Sequence, residues 1–216
     1  MRRFLGLLMA ALLAGLAGAA EAGPLDLKVP YTADSVIGRG DNLRTGKLWR
    51  TPNAMRHEWV ERGAKQNVIV RFDRNLVWSQ LPGTNVVVET DLAGLAALPL
   101  AALNDPANLR ETAVAQETIE GMRVTKYRVA TAPGAASSFE GHVWRTAEGI
   151  VLKIEGTGVH QGKAGEVHLA FRNIRVGAVD ESLFELPANA QKMQVKGDDA
   201  AALADMIGRL QKGRGK

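Results

Sequence analysis

Between Phe139 and Phe171 apolar and polar residues alternate with a regularity that only a sheet explains. Ile150, Leu152 and Ile154 alternate with Val151, Lys153 and Glu155, and Val167, Leu169 and Phe171 alternate with His168, Ala170 and Arg172. Successive side chains of a strand point to opposite faces, so a period of two gives each strand one face for a core and one for water. The pattern predicts three strands, 139–145, 150–155 and 166–173. Glu148-Gly149 suits a tight hairpin, where a residue must take positive φ, and Gly156-Thr157-Gly158 reads as a looser joint. The result is an antiparallel meander with an apolar face that something must cover.

The same rhythm fills the N-terminal half. Residues 31–37 set Tyr31, Ala33, Ser35 and Ile37 on one face, and the turn 38–42 follows. Further strands are predicted at 46–50, 54–61, 67–73, 76–80 and 85–90, with Met55, His57 and Trp59 sharing one face and Val68, Val70 and Phe72 another. Residues 113–118 and 122–130 pair about Glu120-Gly121. A strand at 174–179 then leads to Asp180, a cap for the single turn 181–184 that Pro187 ends. Strands this short and this evenly spaced belong to sandwiches, barrels or curved sheets.

Residues 91–109 break the rhythm. They are rich in Ala and Leu and hold no β-branched residue, so their local preference is helical. Asp91 is a cap, Pro99 and Pro106 divide the segment into two short helices, and Leu92, Leu95 and Leu98 make one apolar stripe. An apolar helical pair within a β-meander has to lie on a sheet, as a lid or plug. A terminal helix is predicted over 197–210, with Asp198 and Asp199 at its positive end and Arg209 at its negative end. Residues 1–22 read as a secretory signal peptide: Arg2-Arg3, an apolar run from Phe4 to Leu16, then small residues before cleavage after Ala22. The expected organisation is a leader at 1–22, one domain at 23–193 with the helical insert at 91–109, and a helix with a basic tail at 194–216.

Composition narrows the function. The chain has no cysteine, which excludes disulfides, thiol chemistry and a lipidated anchor, and with the leader places the expected protein in a bacterial periplasm with no membrane span after cleavage. Removing Arg2, Arg3 and Glu21 from 27 basic and 23 acidic residues leaves 25 and 22, an excess too small and too dispersed for a nucleic-acid footprint. Gly40 to Lys47 imitates a phosphate loop but has five residues between its glycines and Leu48 where Ser or Thr is needed. Arg39-Gly40-Asp41 is a chance match to an adhesion motif. His57, His142, His160 and His168 lack metal-ligand spacing, and no G-x-S-x-G elbow occurs. No residue set calls for an enzyme, a metal or a cofactor. The four tryptophans, Trp49, Trp59, Trp78 and Trp144, read as core or as the lining of an apolar cavity.

Three stretches carry a family resemblance: Gly46-Lys47-Leu48-Trp49-Arg50 followed by Met55-Arg56-His57-Glu58; Ile119 to Tyr127; and Ile174 to Asp180 followed by Leu183 to Pro187. In this order, with the helical insert between them, they resemble the lipoprotein-carrier (LolA-like) superfamily over roughly Tyr31 to Met193. The resemblance implies a mainly β (α+β) fold: a strongly curved antiparallel sheet, or incomplete β-barrel, with helices packed on its concave face. It also implies an acyl chain held there, or a role in sensing envelope stress. The expected function is therefore non-enzymatic binding of a lipid or lipoprotein acyl chain between sheet and lid, the alternative being a module for an envelope protein partner. The expected cavity lining is Trp59, Val70, Phe72, Trp78, Leu95, Leu98, Leu152, Ile154, Leu169 and Phe171.

Overall fold

The computed structural model describes residues 27–38, 43–61, 63–81, 83–92, 109–131, 137–160 and 163–195. Among them are twelve strands: β1 (Tyr31–Ile37), β2 (Arg44–Arg50), β3 (Ala54–Glu61), β4 (Ala64–Arg71), β5 (Leu76–Gln80), β6 (Val86–Thr90), β7 (Leu109–Ile119), β8 (Met122–Thr131), β9 (Ser137–Arg145), β10 (Val151–His160), β11 (Lys163–Val176) and β12 (Gln191–Gln194). They form one sheet in the order β12-β6-β5-β4-β3-β2-β1-β11-β10-β9-β8-β7, antiparallel except where β12 runs parallel to β6. The sheet is curved and open, with β12 and β7 at its two edges.

Local chemistry explains the joints. Glu120 and Gly121 both take positive φ, 51° and 77°, as a two-residue hairpin loop between right-twisted strands requires. Asp180 accepts a hydrogen bond from the Ser182 N–H at 2.9 Å and starts the 3-10 turn Glu181–Phe184, as its sequence position predicts. The seam between β1 and β11 carries a bulge at Thr32/Asp34, fixed by Asn173, whose Nδ2 donates to Asp34 Oδ2 at 2.7 Å.

Paired residues across a ladder share a face, so the register sorts the side chains. One row runs Ser79–Val68–His57–Leu48–Ala33, and another runs Ile37–Leu169–Ile154–Val143–Tyr127. These lie on the apolar face. On the other face the rows are Thr32–Trp49–Arg56–Ile69–Trp78–Glu89 and His168–Glu155–His142–Arg128, which carry the charges. Part of that charged face is covered. Phe184, fully buried, packs with Ala54, Ile69, Trp78 and Val87, and Arg56 Nη1 donates to the Leu183 carbonyl at 2.8 Å. Arg71 binds Asp73 and Glu185, and its guanidinium holds the Asp73 carboxyl below the ordinary carboxylate value.

Gly141 and Gly156 oppose each other across β9 and β10 with the Phe139 ring laid over them. A Cβ on Gly141 would stand 2.6 Å from Gly156 Cα and 2.8 Å from Phe139 Cζ. Such crowding on one side is where a curved sheet needs glycine.

Several expectations need correction. Gly156-Thr157-Gly158 is not a joint: it lies inside β10, because Gly156 is there to make room for Phe139 and not to turn the chain. Residues 174–176 continue β11, so 174–179 is no separate strand. Leu109, expected to end a helix, begins β7. Helices on the concave face are not supported: the described residues hold two 3-10 turns, Phe72–Arg74 and Glu181–Phe184, and no α-helix. The leader at 1–22, residues 93–108 of the predicted insert and the terminal helix at 197–210 lie outside the described residues.

Candidate functional site: the apolar face of the sheet

Three buried clusters make up the apolar face. Val70 and Val77 pack with Met55, Val68, Phe72 and Leu92. Tyr31, Ala33, Leu48, Ile150 and Leu152 form a second group, which shares Met55 and adds Phe171. Val129, Phe139, Val143 and Ile154 form the third, with Tyr127, Val167 and Leu169 against it. The face thus runs from β5 through β1 to β8, and no described strand or helix is laid across it.

Most of the predicted lining is brought together there. Val70 and Phe72 belong to the first cluster, Leu152 and Phe171 to the second, and Ile154 and Leu169 to the third. Trp59 lies on the same face, its ring stacked on His57 with centroids 5.0 Å apart. Trp78 does not join them. It pairs with Ile69 and Glu89 on the opposite face, where its Nε1 donates to Glu89 Oε2 at 2.8 Å. Leu95 and Leu98 lie outside the described residues.

The apolar face also carries polar groups. His57 Nε2 and Ser35 Oγ are 2.7 Å apart, and burial pushes the imidazole down to about 4, so it is neutral at physiological pH. Arg145 lies over the Tyr127 ring and binds the Glu111 carboxylate at 2.7 Å. Arg50 pairs in register with both Tyr31 and Met55. The signal for Arg50 was present in the alternation, since Gly46, Leu48 and Arg50 have the same parity as the buried side of β2. His142 and His168 stand on the charged face, and among the described residues no three His, Asp or Glu side chains are grouped to hold a metal ion.

The charged face has a cavity of about 780 Å³ where the segment after Phe184 crosses the sheet; Lys65, Asn67, Ile69, Trp78, Gln80 and Leu186 contribute to its wall. Its wall mixes amides and a cation with apolar groups, unlike the apolar face.

These features define a fold: mostly β, built on a single open curved sheet. No protein-family model and no curated protein sequence matches the chain. It is similar to the structure of an uncharacterised conserved protein from Thermus thermophilus, at TM-score 0.50 and 16% identity over 79% of this chain and 93% of that one. It is also similar to a chain in the Pseudomonas aeruginosa MucA/MucB complex, at TM-score 0.42 and 20% identity over 80% of this chain and 60% of that chain. A third structure, described as a candidate outer membrane lipoprotein-sorting protein domain from Vibrio parahaemolyticus, matches at TM-score 0.35 and 10% identity over 72% and 89%. At these identities the likeness is one of fold. Among the described residues no helix is long and apolar enough to cross a membrane.

Proposed function

We propose that this is a non-enzymatic periplasmic binding protein that takes a lipid or lipoprotein acyl chain against the apolar face of its curved sheet. The observation that supports this is the apolar face itself, whose side chains from β5 to β8 form three clusters. An acyl chain laid among such side chains gains roughly 25 cal/mol per Å² of apolar surface removed from water, without any cofactor. The open, curved, mostly β sheet agrees with that part of the fold the resemblance implies.

Two measurements test the reading. Native mass spectrometry of freshly purified protein is expected to show a bound lipid mass. The uncharged probe N-phenyl-1-naphthylamine is expected to brighten on binding, and to do so less in the double variant Leu169→Gln, Phe171→Gln. A clean apo mass together with no probe uptake refutes it.

A second reading, an interaction module for an envelope protein, is favoured by β7. This eleven-residue strand ends the sheet, is mostly exposed and leaves Val114 52% exposed. An edge strand can accept a partner strand through its backbone. Crosslinking from Cys introduced at Val114 to one envelope protein would favour this reading over the first.

A further inference from the structure

Three arginines among the described residues are almost wholly buried: Arg50 and Arg71, each 6% exposed, and Arg145 at 5%. Two of them are neutralised. Arg71 has Asp73 and Glu185, and Arg145 has Glu111. Among the described residues no carboxylate pairs with Arg50. Its Nη1 donates to the backbone carbonyls of Thr51 and Ala54, the latter at 3.0 Å, and its guanidinium lies 4.3 Å from the centroid of the Phe72 ring. Carbonyls and a ring orient a cation without cancelling its charge. Tyr31, its register partner, does not cancel it either: burial pushes the phenol up to about 12, so it stays neutral. Burial also draws Arg50 down to about 10, the direction expected of a cation that lacks an anion. Nε and Nη2 donate to no described group.

An uncompensated charge among apolar side chains is costly, and an anion that reaches it gains most of that cost back. The neighbours of Arg50 say what kind of anion. Tyr31 and Met55 flank it in register, Val70 and Val77 follow beyond Met55, and Phe72 packs with them. A small hydrophilic anion would gain nothing from these groups. We propose that Arg50 is the headgroup site for an anionic amphiphile, a carboxylate or phosphate monoester at the end of an acyl chain, whose chain lies on the apolar face. This rests on the lipid-binding reading above and adds the chemical class of the ligand and its orientation: charged end at the β2–β3 turn, tail along the sheet.

The test is displacement of N-phenyl-1-naphthylamine from the full-length mature protein by three twelve-carbon competitors below their micelle concentrations: laurate, dodecyl phosphate and neutral monolaurin. The wild type is expected to release probe to at least one anion at a tenfold or more lower concentration than to monolaurin, and the better anion identifies the headgroup. Arg50→Met is expected to abolish that preference and Arg50→Lys to keep much of it. If Arg50→Met does not fold by far-ultraviolet circular dichroism, the wild-type series and Arg50→Lys decide. Equal displacement by monolaurin in the wild type, or an unchanged anion preference in folded Arg50→Met, overturns the inference and leaves lipid binding standing. No probe uptake by the wild type overturns lipid binding itself.

Discussion

His57 gives the sharpest prediction, because its titration separates a buried neutral ring from a surface one. Its register partners are Leu48 and Val68, its ring stacks on Trp59, and its hydrogen-bond partner among the described residues is the Ser35 hydroxyl. Burial is the cause that draws it to about 4. In the unfolded chain the ordinary value is about 6.5. The folded value is depressed, so between these values the unfolded state binds a proton that the folded state refuses, and stability falls as pH falls from about 6.5 to about 4. At pH 5 the loss relative to neutral pH is about 2 kcal/mol, and it levels off near 3 kcal/mol below pH 4. The assay is urea unfolding of the wild type and His57→Gln at pH 7.5 and pH 5.0, followed by tryptophan fluorescence. The variant loses packing at both pH values, but its further loss on acidification should be smaller than that of the wild type by about 2 kcal/mol. Parallel losses, within about 0.5 kcal/mol, would refute the argument that the ring is buried and neutral.

Two other sites give expectations of similar size. Glu111→Gln removes the carboxylate that binds the buried Arg145 and should cost about 3–5 kcal/mol in urea unfolding, while Glu111→Met combined with Arg145→Met should recover much of that loss. Phe184→Ala should cost about 3–5 kcal/mol and speed hydrogen exchange in β12, because the fully buried Phe184 ring anchors the segment that leads into that strand.

Alternation made most of the sheet legible in the sequence. The strands Tyr31–Ile37, Ala54–Glu61 and Leu76–Gln80 have the bounds predicted for them, since each alternates cleanly and ends at a turn. What alternation does not carry is parity across a turn. Val70 and Trp78 both looked inward, yet the 3-10 turn Phe72–Arg74 and the left-handed Asn75 set a register that opposes Val70 to Val77 and sends Trp78 to the other side. Glycine is ambiguous for a related reason: Gly149 turns the chain, whereas Gly156 makes room for a ring, and the two look alike until the neighbouring strand is known. β12 was invisible because Gln191-Lys192-Met193-Gln194 is a polar edge strand without alternation, held to β6 by backbone groups and by Lys192 and Gln194 on Glu89. Arg50 was readable by parity, but its missing counter-ion was not, since a carboxylate from any distant strand could have supplied one.

The order of strands also sets a timetable. Within β1–β6 and within β7–β11 every hydrogen-bonded neighbour is the next strand along the chain, so each half can assemble from hairpins. The β1–β11 seam is different, and among the described strands β12 on β6 is its one companion. Closing such long loops costs entropy before any contact repays it, which makes the seam the slow step. A chain that emerges N-terminus first therefore holds the edge of β1 unpaired until β11 arrives, and an unpaired edge is a template for wrong partners. Weakening the seam at Asn173 should slow refolding and raise aggregation during refolding more than it lowers the stability of the finished protein, and a holdase present at that stage should suppress the difference.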